Sequence, residues 1–138
     1  MLKGSSQWNC VRGYCLARKL CLPDLQDNIM DHFIAWLGRS NLWMGKSLLV
    51  EAYNSSEPGS GLRKFVTRTI AYRFRENVGI ASAADMHELF VRMPGLCQEY
   101  LEFLKSTNFI AMKDPGLADQ CLYHQHGIDR KCYKVAED

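Results

Sequence analysis

The most specific chemistry in the chain lies near its end, where Cys121, His124, His126 and Cys132 place four sulfur and nitrogen donors within twelve residues at the spacing C-x2-H-x-H-x5-C. Thiolate and imidazole are preferred zinc ligands, and a structural zinc ion takes four of them in a tetrahedron. In an extended segment alternate side chains share a side, so His124 and His126 would project together, and a turn would bring Cys121 and the returning Cys132 to the other corners. A helix would hold the histidines apart. Four protein ligands leave no open coordination position, so the set points to one structural zinc ion and not to catalysis. The spacing differs from the usual two-knuckle pattern. The competing reading is a solvated tail that merely contains Cys and His.

A second constellation is basic. Lys64, Arg68 and Arg75, with Arg63 and Arg73 on neighbouring faces, would give one helix a surface for phosphates or an acidic partner. The alternative is an ordinary solvated helix face, because no interleaved aromatic platform accompanies the charges. Trp8, Trp36 and Trp43 are expected to anchor the core, with Trp43, beside Leu42 and Met44, also a candidate for an exposed partner groove. His32 and His87 stand near Asp31, Asp85 and Glu88, yet no Ser or Cys nucleophile motif surrounds them. No catalytic residue is assigned, and the chain is not read as an enzyme. Cys10, Cys15, Cys21 and Cys97 are expected to pack as small buried thiols. Gly59 and Gly61 lack the Lys-Ser/Thr continuation of a phosphate loop.

The elements that must position these groups are bounded by size and composition. At 138 residues and 47% hydrophobic content, the chain can bury one continuous core without help from disulfides. A formal charge of +2 implies neither nucleic acid nor an acidic membrane by itself. The start, Met1 to Gln7, lacks the apolar run of a signal peptide, and no uncharged apolar segment approaches the roughly 20 residues of a membrane span. The expectation is a soluble intracellular protein, in cytoplasm or nucleus, with reduced thiols.

Helical periodicity recurs along the chain. Val11, Tyr14 and Cys15 mark a first helix over Val11 to Leu20, interrupted by Gly13. Pro23 and Asp24 open a second, whose stripe is Leu25, Ile29, Phe33, Trp36 and Leu37, with Gln26, Asp27 and Asp31 off it. Gly38 with Ser40-Asn41 should stop it. A shorter helix through Leu48, Leu49, Ala52 and Tyr53 ends in the turn-rich run Asn54 to Gly61. Ser60 should cap the next, carried by Leu62, Phe65, Val66, Ile70 and Phe74 and ended near Asn77 to Gly79. Ser82 with Asp85 resembles a capping box before Met86, Leu89, Phe90 and Met93; Pro94-Gly95 breaks the chain, and Leu96, Tyr100, Phe103 and Leu104 make a last helix. No alternating run is long enough for a strand. The reading is all-α: an irregular bundle or array of five or six helices over 1–108, and a short C-terminal tail over 109–138 holding the zinc knuckle. The expected core is Leu25, Ile29, Phe33, Leu37, Phe65, Val66, Ile70, Leu89, Phe90 and Phe103.

The stretch from Tyr14 through Leu22-Pro23-Asp24-Leu25 to Asp31 resembles the segment that closes a BTB/POZ domain in fungal proteins: a helix with Tyr-x-Leu-Ala-x-x-Leu, a Leu-Pro-x-Leu turn and a second helix. The region from Leu48 to Asn77 is similar to the helical extension of those proteins, and the Cys/His cluster from Cys121 to His126 is similar to their ends. The resemblance implies an adaptor, a protein-interaction module with a protein partner. The strand-rich half that carries most of the family's dimer surface has no counterpart before residue 14, so a BTB-type homodimer is not expected. The alternative reading is a zinc-stabilised nucleic-acid-associated factor using the basic helix face.

Overall fold

The computed structural model describes residues 2–40, 43–80, 82–107, 114–117, 120–125 and 132. The described residues form six helices, α1 (Leu2–Lys19), α2 (Pro23–Ser40), α3 (Lys46–Ser55), α4 (Gly61–Glu76), α5 (Ala83–Arg92) and α6 (Leu96–Ser106). Two 3-10 turns follow, Pro115–Leu117 and Gln120–Tyr123, and no strand occurs among the described residues. The fold is the all-α array that the stripes require. No helix among the described residues is long and apolar enough to cross a membrane.

Local chemistry explains most boundaries. The chain reverses between α1 and α2 at Leu20-Cys21-Leu22, where Cys21 adopts φ 58° and the Leu22 amide donates to Ala17 at 2.9 Å. This is a left-handed helix end, built here on cysteine where glycine is usual. Pro23 begins α2 with Asp24 in its first turn. Ser60 and Ser82 cap α4 and α5, accepting from the Arg63 and Asp85 amides respectively. Gly95, at φ 93°, starts α6 directly after the break at Pro94. α1 begins nine residues earlier than the first helical signal at Val11. Once a turn of helix exists, each added residue costs little, so an extension needs no apolar stripe of its own.

α1 and α2 pack along one another, α3 lies against α1 and α4, and α4 runs through the middle in contact with α2, α3 and α6. Phe33, Leu37, Phe65, Val66, Ile70 and Leu89 are buried as expected, while Phe90 and Phe103 are only partly buried at the edge of the core. Arg63 fixes the α3–α4 loop by donating to the carbonyls of Tyr53 and Ser56 at 2.9 and 2.8 Å, the Tyr53 carbonyl also accepting from the Ser56 amide that caps α3. The Tyr53 hydroxyl donates to Glu99 at 2.8 Å, joining α3 to α6. Lys46 reaches Asp85 at 3.0 Å, joining α3 to α5.

At the start of α2 the expected face is wrong. Leu25 is 45% exposed and Ile29 only half-buried, while Gln26, Asp27, Met30 and Asp31 are buried. The stripe 25-29-33-37 and the set 27-30-31-34 lie side by side on one helix, and both contain apolar residues. Phe33 and Leu37 of the first are buried, and the second also faces inward, where the chain's own C-terminal segment lies on it and supplies polar partners for the carboxylates. Two of the four thiols assigned to the core, Cys21 and Cys97, are exposed, one at the left-handed turn and the other on the outer face of α6.

Candidate metal centre

Residues 120–125 lie across α2 and the start of α4. Tyr123 anchors them: its ring meets Phe65 edge-on at 5.3 Å between centroids, and its hydroxyl donates to the Pro115 carbonyl at 3.1 Å. Its carbonyl rests on Gly61 so closely that a Cβ at that position would overlap it. A glycine is therefore needed at the first residue of α4 for reasons of space.

Gln125 makes the adjoining contacts. Its side-chain carbonyl accepts from the Gly61 amide at 2.7 Å and from the Tyr14 hydroxyl at 2.9 Å, and its backbone amide donates to Asp27 at 2.5 Å. The Leu62 amide donates in turn to the Tyr14 oxygen at 3.4 Å. The first amides of a helix have no partners within it. In α4 those of Gly61, Leu62 and Arg63 are taken by Gln125, Tyr14 and Ser60. Burial pushes the Tyr14 hydroxyl up to about 12, so it remains a donor throughout the neutral range.

His124 sits between these anchors with its side chain wholly buried. Its Nε2 lies 2.8 Å from Oδ1 of the buried Asp31, and its Nδ1 lies 3.5 Å from the Cys132 sulfur. Cys121, His124 and Cys132 offer ligand atoms that all fall within 4.8 Å of one another. The group is close enough to bind a metal ion. In tetrahedral zinc, bonds of about 2.3 Å to sulfur and 2.0 Å to nitrogen leave the two ligand atoms about 3.5 Å apart, the separation seen between His124 and Cys132. His126, the fourth ligand expected from the sequence, lies outside the described residues.

The basic constellation is divided. Lys64 and Arg68 border a groove of about 640 Å³ between α4 and α6, whose other wall includes Glu99 and Glu102. Arg68 also lies over the Phe103 ring at 4.9 Å. Arg75 pairs with Glu76 at 2.5 Å. Arg73 is no surface residue: it is buried, donates to the carbonyls of Met44 and Val78, and has its charge disfavoured by desolvation. Trp43 is 37% exposed, stacks on Tyr72 and borders a smaller cavity of about 180 Å³ with Ile34 and Leu117. Leu42, its expected neighbour, lies outside the described residues.

The histidines considered for catalysis stand elsewhere. His32 is exposed and donates to the Asn28 carbonyl of its own helix at 2.8 Å, and His87 is exposed on α5. Asp31, expected beside His32, serves His124 instead. Sequence reasoning also missed Asp27, Gln125, Tyr14 and Gly61 as parts of this assembly. The available signal was the spacing of Asp27 and Asp31, four apart on one helix face with Met30 and Ile34. No family model matches the chain, and neither a curated protein nor a solved structure matches it.

Proposed function

We propose that the chain is a non-enzymatic protein-interaction scaffold, a helical array whose C-terminal segment is held in place by one structural zinc ion. The observation that carries the interaction half is the group of exposed leucines at the α1–α2 turn: Leu16, Leu20, Leu22 and Leu25 are each more than 40% exposed. Four large apolar side chains gathered at one end of a helix pair form a surface that contact with a partner would remove from water. The resemblance of this same stretch to fungal BTB/POZ-domain proteins supports the reading, since those act as adaptors. The partner is a protein.

The zinc half rests on Cys121, His124 and Cys132, whose thiolates and imidazole suit that ion. His126 would complete a closed, four-ligand site. Zinc would draw the two cysteines and His124 into one unit and so keep residues 120–125 on α2 and α4. A structural ion acts through folding free energy, because the unfolded chain has no preformed site.

The test pairs capture of partners from native extract with a chain carrying Leu20→Ser and Leu25→Ser. A protein retained by the wild type and lost by the variant, with unchanged helix content, supports the scaffold. Equal retention by both chains moves the partner surface elsewhere, and a salt-sensitive nucleic-acid complex would favour the basic face of α4. Metal analysis of the chain purified without chelator should find one zinc per chain. A small fraction of one would remove the zinc from this reading.

A further inference from the structure

We propose that Asp31 positions the metal site: it holds the proton of His124 on Nε2, so that Nδ1 is the nitrogen presented to zinc. The inference rests on the zinc reading above and goes beyond it by naming the ligand atom and the residue that selects it. The imidazole is wholly buried and has its two nitrogens in different surroundings. Nε2 faces the Asp31 carboxylate at 2.8 Å, while Nδ1 faces the Cys132 sulfur at 3.5 Å. A neutral imidazole carries one N–H, and a carboxylate can only accept, so the proton belongs on Nε2 and the Nδ1 lone pair faces the Cys132 sulfur. Metal-bound histidines commonly donate their second N–H to a carboxylate, which fixes the ring and raises its basicity.

The position of Asp31 gives this contact mechanical support. It is on α2, one helical turn after Asp27, which accepts from the Gln125 amide at 2.5 Å. The two carboxylates thus hold consecutive residues, His124 by its side chain and Gln125 by its backbone. The ring is clamped on a helix of the core before any metal arrives, and the cysteines then close on a nitrogen already in place. Pre-fixing a ligand in this way strengthens binding because less freedom is lost when the ion is bound.

The test uses the full chain, with zinc alone as the probe, in competition against a chromophoric chelator. Wild type should bind one zinc, Asp31→Ala should bind it about 10- to 100-fold more weakly, and Asp31→Asn, which keeps an accepting oxygen without the charge, should fall between them. An independent readout needs no variant. With an NMR-active cadmium isotope in place of zinc, metal coupling should appear on His124 Nδ1 and the ring proton on Nε2. One tightly bound zinc with equal affinity in wild type and Asp31→Ala, or cadmium coupling on Nε2, would overturn the assignment and leave the zinc site standing. A wild-type chain that binds no zinc would overturn the site and the assignment together. If Asp31→Ala fails to fold, Asp31→Asn and the cadmium spectrum decide.

Discussion

The two ends of α4 are closed in opposite ways. At its C-terminus the closure is local: Asn77 takes the left-handed conformation at φ 59°, Val78 donates to the Arg73 carbonyl at 2.9 Å, and Arg73 returns a bond to the Val78 carbonyl. At its N-terminus only Ser60 is local. Gly61 and Leu62 are served by Gln125 and Tyr14, residues 64 and 48 positions away. One end of the same helix is therefore written into its neighbouring residues. The other depends on distant partners, Gln125 in the tail and Tyr14 on α1.

The largest effect that separates the ends should come from Gly61→Ala. The new methyl overlaps the Tyr123 carbonyl, and the obstacle is backbone that cannot rotate away. We expect a loss of about 1 to 3 kcal/mol in chemical denaturation, with residues 120–125 becoming sensitive to protease. An unchanged stability would mean that the tail does not rest on α4. Gly13→Ala is the control at a helical glycine without this constraint. There a Cβ would meet the end of Ile29 at 3.6 Å, ordinary contact, so helix propensity should dominate and stability rise by about 0.5 to 1 kcal/mol.

At the local end, Asn77→Ala should cost about 1 to 2 kcal/mol, because alanine tolerates the left-handed conformation poorly. Tail protection should stay as in wild type, and increased cleavage of the tail in this variant would break the distinction between the two ends.

A smaller effect is expected from Tyr14→Phe, which removes the donor to Gln125 and the acceptor for Leu62, at about 1 kcal/mol near neutral pH. The pH dependence has a definite sign. Burial holds the Tyr14 hydroxyl up at about 12 in the fold, above the unfolded value of about 10. Its contribution is intact below about 10 and is lost as pH rises toward about 12, where the unfolded chain releases the proton and the folded chain retains it. Wild type should thus lose stability across this window more steeply than Tyr14→Phe. Parallel curves would show that Tyr14 is not held as the geometry indicates.

What could be read from the sequence follows the same division. Pro23, Ser60, Ser82 and Pro94-Gly95 act through neighbouring amides and carbonyls, and α2, α4, α5 and α6 begin where those residues require. The interior of α4 was equally plain, because Leu62, Phe65, Val66 and Ile70 keep a helical period and the core accepts them. The face of α2 was not. Asp27 and Asp31 carry charges that local reasoning places in water, and only the arrival of Gln125 and His124 turns that face inward. The grouping of Cys121, His124 and Cys132 was legible from their residue types and spacing. Asp31, ninety-three residues from His124, was not, since no period or spacing connects them.

The proposed coupling between metal and helix end is tested directly by amide hydrogen exchange of the full chain, measured with one equivalent of zinc and again after chelation. The account predicts that chelation lowers the protection of the Gly61 and Leu62 amides while leaving Val78, at the other end of α4, unchanged. Protection at Gly61 and Leu62 that is the same with and without zinc would contradict it.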